Sequence, residues 1–193
     1  MKLTTRRIAF AGILAAVYAA LTIATSSFAY GPVQFRIAEA LSVLCCFTPA
    51  AIFGMVLGCM AANLASFVSA WDFLIGSSAT LLACVITWLI SRSLREQIPS
   101  LPRSGEPLEQ KKSSPMSKIL IVLLVPLPTI LCNAVIVGAE IAAFFDDRAF
   151  MPAWGMNALS VGAGEAAVMY VLGVPLLLYL LKNTRIFRQL RLV

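Results

Sequence analysis

No histidine occurs anywhere in the 193 residues. Its absence removes the commonest general base near neutral pH and the commonest nitrogen ligand for metals. H-E-x-x-H and G-x-S-x-G are missing, as is any G-x-x-x-x-G-K-[ST] loop, so the chain carries no P-loop ATPase of its own. The five cysteines, Cys45, Cys46, Cys59, Cys84 and Cys132, lie inside apolar segments without a C-x-x-C pair. That placement argues for small buried hydrophobes over a disulfide frame or a zinc site. The one adjacent acidic pair, Asp146-Asp147, reads as loop. No enzyme is expected, and no bound cofactor or metal. Charge is scarce as well: charged residues make up 12%, against about 25% in soluble domains.

What fills the chain instead is hydrocarbon. Hydrophobic residues account for 60%, with a mean hydropathy of +0.90, too apolar for a domain that must present a polar surface to water. The basic start MKLTTRR and the small-residue run Ser27-Phe28-Ala29 resemble a signal peptide. The apolar run from Ile8 to Ala24 exceeds the roughly 7–15 residues of such a segment, however, and reads as a first membrane span. At about 20 residues per span, the first candidate runs from Ile8 to Ala29. Pro49 divides the stretch from Ile37 to Ala70 into a short helix and a full one. Further spans cover Trp71 to Ile90, Ile119 to Phe145 and Gly155 to Leu181, the fifth bent by Pro126 and Pro128. The expected fold is an all-α membrane protein of six transmembrane helices in a single domain, residues 1–193. A solvated Pro/Ser/charge-rich linker interrupts it at about 94–117, between helices 4 and 5.

Lysine and arginine orient it. Lys2, Arg6 and Arg7 precede the first span; Arg92, Arg95, Arg103, Lys111, Lys112 and Lys118 surround the linker; Lys182, Arg185, Arg188 and Arg191 follow the last span. Six crossings put all three regions on one side, which the positive-inside rule makes cytoplasmic, both termini included. The net charge of +6 then reflects orientation and attraction to anionic lipid, not nucleic acid. The location expected is the cell membrane, multi-pass.

The acids lie differently. Glu96, Glu106 and Glu109 belong to the linker, whereas Glu39, Asp72, Glu140, Asp146, Asp147 and Glu165 fall in or beside spans on the outward half. A carboxylate at mid-bilayer costs roughly 2.5–3.5 kcal/mol on insertion scales, so intramembrane acids call for partners or a polar cavity. Glu39 has two readings: an i,i+3 pair with Arg36, or a ligand-facing group. Asn133 and Glu140 stack two turns apart, Asn157, Ser160 and Gly164 form a second face with Glu165 at its edge, and Asn63 sits inside the third span. Phe35, Trp71 and Trp154 near the mouth read as interface anchors or as stacking platforms. Such a pocket suits a flat, nitrogen-rich heterocycle or a small cation better than an anion.

These residues carry a resemblance. YGPVQFRIAEALSVL, GCMAANLAS, WDFLIGSSATLLA, NAVIVGAE and WGMNALSVGAGEAAVMYVLGVPLL, in that order, resemble the QueT family, substrate-binding (S) components of energy-coupling-factor (ECF) transporters. The resemblance implies an S-component bundle that captures a queuosine precursor from outside: 7-cyano- or 7-aminomethyl-7-deazaguanine, or queuine. It also implies partners, namely a transmembrane coupling subunit and two ATPases that consume the ATP. On the residue chemistry, Glu165 or Glu140 would take the guanine-like edge, with Asn133, Asn157 and Asn63 on the other polar atoms. Glu39 would orient Arg36 or meet the substituent, with Asp72, Trp71 and Ser160 nearby. The first helix has small residues four apart, Ala11/Ala15/Ala19 and Gly12/Ala16/Ala20. That pattern suits packing inside the bundle or close docking of another helix, and the resemblance assigns it to the coupling subunit.

Overall fold

The computed structural model describes residues 4–29, 34–65, 70–94 and 115–183. These are helical, with no strand among them. The linker expected at about 94–117 lies, from residue 95 to residue 114, outside the described residues, as does the basic tail beyond residue 183.

Six helical passages follow in order. α1 (Thr5–Ala24) ends in a further turn, Ser26–Ala29. α2 (Ile37–Cys46) is a 3₁₀ helix, α3 spans Ala50–Ala65, and α4 spans Ala70–Leu94. α5 runs in pieces through residues 115–144: Pro115–Leu124, Leu127–Cys132, a π segment Asn133–Val137, and Gly138–Phe144. α6 is Phe150–Val168, a second π segment Met169–Gly173, and Val174–Lys182. The break in α5 falls at Val125-Pro126, where proline removes a helical hydrogen bond.

α1, α4, α5 and α6 are long and apolar enough to cross a membrane. α3, with 16 residues, reaches about 24 Å at about 1.5 Å per residue. α2, with ten residues, reaches about 20 Å because a 3₁₀ helix rises about 2.0 Å per residue. Both fall short of the roughly 30 Å hydrocarbon core.

The shortest helix lies at the centre. α2 packs against α1, α3, α4 and α6 together. Its three-residue turn places Glu39, Ser42 and Cys45 in one row along its axis, and Arg36 stands just before its start, all of them buried. At one end of the bundle, apolar packing is continuous: Val43, Cys46, Phe47, Leu94, Ile121, Val125, Met169, Leu177 and Leu180 form one core cluster. The polar residues gather toward the opposite end, where the loop around Asp146 joins α5 to α6.

Glycines set the closest helix contacts. A Cβ on Gly54 would stand 2.9 Å from the Ala11 carbonyl oxygen, and one on Gly58 2.7 Å from the Tyr18 Cβ and 2.8 Å from the Ala15 carbonyl oxygen. α1 and α3 therefore run parallel with backbones nearly touching, the arrangement that small residues permit in lipid. A Cβ on Gly138 would meet Ala158 at 2.8 Å, locking α5 antiparallel to α6. The small residues of α1 divide accordingly. Ala11 faces α3, Ala15 and Ala19 are half-buried, and Gly12, Ala16 and Ala20 lie on the exposed side. A Cβ added at Gly12 meets nothing within 4 Å.

Gly58→Val should accordingly destabilise the protein by about 1–3 kcal/mol, the usual cost of overpacking, whereas Gly12→Ala should change stability by less than about 0.5 kcal/mol. Thermal unfolding of the two purified variants in detergent checks both. Equal midpoints would mean that α1 and α3 do not meet at Gly58.

Candidate functional site

α2 delivers the first two site residues. Arg36 caps its start with an extended backbone (φ −80°, ψ 86°), so it is not on a helical turn with Glu39. Its guanidinium points to α4, where Nη2 donates to both Asp72 oxygens at 3.2 Å, the two side chains being almost wholly buried. The expected Arg36–Glu39 pair is thus replaced by Arg36–Asp72. An i,i+3 pair needs both residues inside the helix, and this helix begins one residue too late.

Glu39, fully buried, turns to other donors. Tyr18 Oη–H of α1 donates to its Oε1 at 2.6 Å, and Thr80 Oγ1–H of α4 donates to the same oxygen at 3.1 Å. Thr80 also lies 3.5 Å from Cys59 Sγ on α3. Asn63 joins α3 to this network by donating from Nδ2 to the Asp72 carbonyl oxygen at 2.8 Å. Gly76 leaves the space: a Cβ there would stand 2.5 Å from Asp72 Oδ1 and 3.1 Å from Asn63 Nδ2. Tyr18 and Thr80 escaped the sequence reading because one buried hydroxyl in an apolar helix is commonplace. The period of three that joins Arg36 to Glu39, Ser42 and Cys45 was the available signal for how α2 is wound. One turn further in, Ser42 and Thr129 hydroxyls meet at 2.9 Å, tying α2 to α5.

α5 and α6 supply the second half. Asn133 Nδ2 donates to Glu165 Oε1 at 3.1 Å, both residues being buried. The π segment beginning at Asn133 adds a residue to that turn, so seven residues no longer equal two α turns. Asn133 turns to α6, while Glu140 sits apart from it, only 4% exposed. Glu165 lies within electrostatic reach of Glu39 and Arg36, and Glu140 of Asp72 and Arg36, which brings the two halves together.

What this centre offers is acceptors. Among the described residues, Glu39 Oε2, Glu165 Oε2, Asn133 Oδ1 and both Glu140 oxygens are buried without a hydrogen-bond donor. A buried polar atom left in that condition costs on the order of 1–3 kcal/mol, more when charged. The arrangement is chemically suited to a ligand with several N–H groups. No group of three or more His, Cys, Asp or Glu among the described residues has the geometry of a metal site.

The remaining candidates lie nearer the Asp146 loop. Asn157 donates from Nδ2 to Asp146 Oδ2 at 3.0 Å, as part of a clasp in which Arg148 Nε and Nη2 bind the same carboxylate at 2.9 and 2.6 Å. Ser160 is half-buried on α6 between Asn157 and Glu165. Trp71 stacks on Phe144 at 5.2 Å between ring centroids. Trp154 donates its indole N–H to the Val135 carbonyl oxygen at 3.1 Å, inside the α5 π segment, and stacks on Phe150. Phe35 is partly exposed. Beside these aromatics a groove of about 540 Å³, lined by Ile75, Val135, Ile136, Ala139, Ala143 and the side chain of Glu140, is apolar throughout.

Two outcomes follow from this geometry. Arg36→Met should lower stability by about 3–5 kcal/mol, the cost of stranding one partner of a buried pair, with Asp72 the group stranded. Thermal unfolding reads it, and a midpoint equal to the parent's contradicts the pairing. At the loop, the Arg148 side-chain and backbone hydrogen bonds hold the Asp146 carboxyl well below the usual carboxylate range. A depressed carboxyl stabilises the fold above its unfolded value of about 3.9 and loses that contribution as pH falls further. The Asn157 side-chain amide resonances should therefore stay constant from pH 7 to pH 4 and move only below. A transition near pH 5 would contradict the clasp.

A curated relative, the queuosine precursor transporter QueT of Lactococcus lactis subsp. cremoris (strain MG1363), is 39% identical over 72 residues, 36% of this chain. The matched stretch spans 41% of that relative's length. No solved structure matches the chain significantly. Residues 8–182, from the first helix to the last, match the family described as QueT transporter. The chain belongs to the QueT transporter family.

Proposed function

We propose that this protein is the substrate-binding component of an ECF transporter, capturing a queuosine precursor of the 7-deazaguanine type from outside the cell. The observation that carries the reading is the set of buried acceptor oxygens on Glu39, Glu140, Glu165 and Asn133 that have no donor among the described residues. A deazaguanine presents a ring N–H and an exocyclic amine side by side. Glu165 Oε2 and Asn133 Oδ1, on side chains already joined by one hydrogen bond, can accept the two together. Asn63 and the Arg36–Asp72 pair sit at the substrate's outer side. Trp71, Ser160 and Asn157 border the way in. The name of the Lactococcus relative supports the substrate class.

The orientation that serves this function has six crossings, cytoplasmic termini and the Asp146 loop outside, in a prokaryotic cell membrane. The chain lacks a nucleotide-binding loop, and ATP is used by two partner ATPases acting through a transmembrane coupling subunit. α1 supplies the docking surface: the exposed row Gly12, Ala16 and Ala20 admits a partner helix, while Ala11, Ala15 and Ala19 on the adjoining side support it from within.

Calorimetric titration of the purified protein with the three deazaguanines, riboflavin and thiamine tests the reading. At least one deazaguanine should bind and neither vitamin should. Glu165→Gln should weaken binding of every deazaguanine that binds about ten- to hundredfold, the value of a hydrogen bond to a charged group, and Glu140→Gln should do so for one that carries a charged substituent. Vitamin binding with indifference to every deazaguanine, or two variants that bind as tightly as the parent, would sink it.

A further inference from the structure

The buried centre is unbalanced in charge. One guanidinium, Arg36, faces four carboxyl groups, Asp72, Glu39, Glu140 and Glu165, drawn from α2, α4, α5 and α6. Asp72 is the carboxylate that takes the Arg36 ion pair. The other groups turned toward this centre add no positive charge: Tyr18 from α1, Cys59 and Asn63 from α3, Thr80 and Cys84 from α4, Cys45 from α2 and Asn133 from α5. At the loop, Asp146 and Arg148 are occupied with each other, and Asp147 is exposed.

The three glutamates differ in what they have left to give. Glu39 has two donors on Oε1 and one open oxygen; Glu165 has Asn133 on Oε1 and one open oxygen. Glu140 has both oxygens open, is 4% exposed, and stands within reach of the Asp72 carboxylate. A carboxylate with both oxygens open, beside an Arg36–Asp72 pair that is neutral as a unit, is a seat for a compact cation with several N–H donors. An ammonium group, with three donors and no acceptor, is that cation.

We infer that Glu140 is the specificity-determining residue for a positively charged substituent, so that the site selects a heterocycle bearing a primary ammonium over its neutral isostere. This rests on the proposed deazaguanine reading and divides the labour within it. Glu165 and Asn133 take the planar N–H edge, and Glu140, beside the Arg36–Asp72 pair, takes the charge. The neutral edge of the ligand is common to every 7-deazaguanine, whereas the ammonium is not.

The test compares two ligands of equal size and shape, 7-aminomethyl-7-deazaguanine and 7-hydroxymethyl-7-deazaguanine, by calorimetric titration of the full chain in lipid nanodiscs. The parent should bind the amine about ten- to hundredfold more tightly than the alcohol. In Glu140→Gln that ratio should fall to within about threefold, by loss of amine affinity, while alcohol affinity changes less than about threefold. The retained alcohol binding shows that the variant is folded. Equal affinities in the parent would overturn the inference and leave the deazaguanine reading standing. A ratio that survives Glu140→Gln but collapses in Glu39→Gln would overturn the assignment to Glu140. Failure of both ligands to bind the folded parent would overturn the deazaguanine reading itself, and this inference with it.

Discussion

A carboxylate inside an apolar helix bundle must be given hydrogen-bond donors or be neutralised, because water is not there to solvate it. That requirement organises the structure. Asp72 obtains a guanidinium, Glu39 obtains Tyr18 and Thr80, and Glu165 obtains Asn133. In Glu39 and Glu165 the described residues satisfy one oxygen and leave the other, and in Glu140 they satisfy neither. Fixing one oxygen sets the direction of the carboxylate, and the second is then presented in a defined place. This is how a rigid acceptor surface can be built from flexible side chains: the donors on one side determine where the open lone pairs point.

The scaffold divides its work between its two ends. Around Phe47, Ile121 and Leu177 the packing is purely apolar and continuous, which holds the helices in register. Along the helices that carry the site, regular α-helix gives way to other windings. α2 is wound as 3₁₀, α5 is broken at Val125-Pro126 and carries a π segment, and α6 carries another. Extended 3₁₀ stretches are unusual, and π segments gather at functional sites. Here each has a visible consequence. The 3₁₀ turn lines up Glu39, Ser42 and Cys45, and the π segment of α5 exposes the Val135 carbonyl that Trp154 binds while turning Asn133 to Glu165.

Much of this was legible in the residues, and the failures have physical causes. Apolar run length located the helices, and Pro49 and Pro126 marked where they divide, because proline's missing donor acts locally. The depth of Glu39, Glu140 and Glu165 in uncharged sequence identified them as buried. Arg36–Glu39 was misread because an i,i+3 spacing was assumed to fall inside an α-helix, whereas Arg36 precedes α2 and reaches α4. Tyr18 and Thr80 carry no sequence signal, since what makes them matter is a partner 21 and 41 residues away. Asn157 matched the spacing of a site face, yet the loop that precedes α6 supplied Asp146 as its acceptor. Spacing reports a shared face of one helix; the choice of partner across helices belongs to the packing.

The central claim is that acids from α2, α5 and α6 act together on one ligand. A ligand-bound structure of the protein tests it most directly. The account predicts density for a planar heterocycle with its N–H edge within hydrogen-bond distance of Glu165 and Asn133 and its substituent at Glu140. Density seated instead in the apolar groove beside Phe144 and Trp154, with Glu39, Glu165 and Asn133 all out of contact, would contradict it.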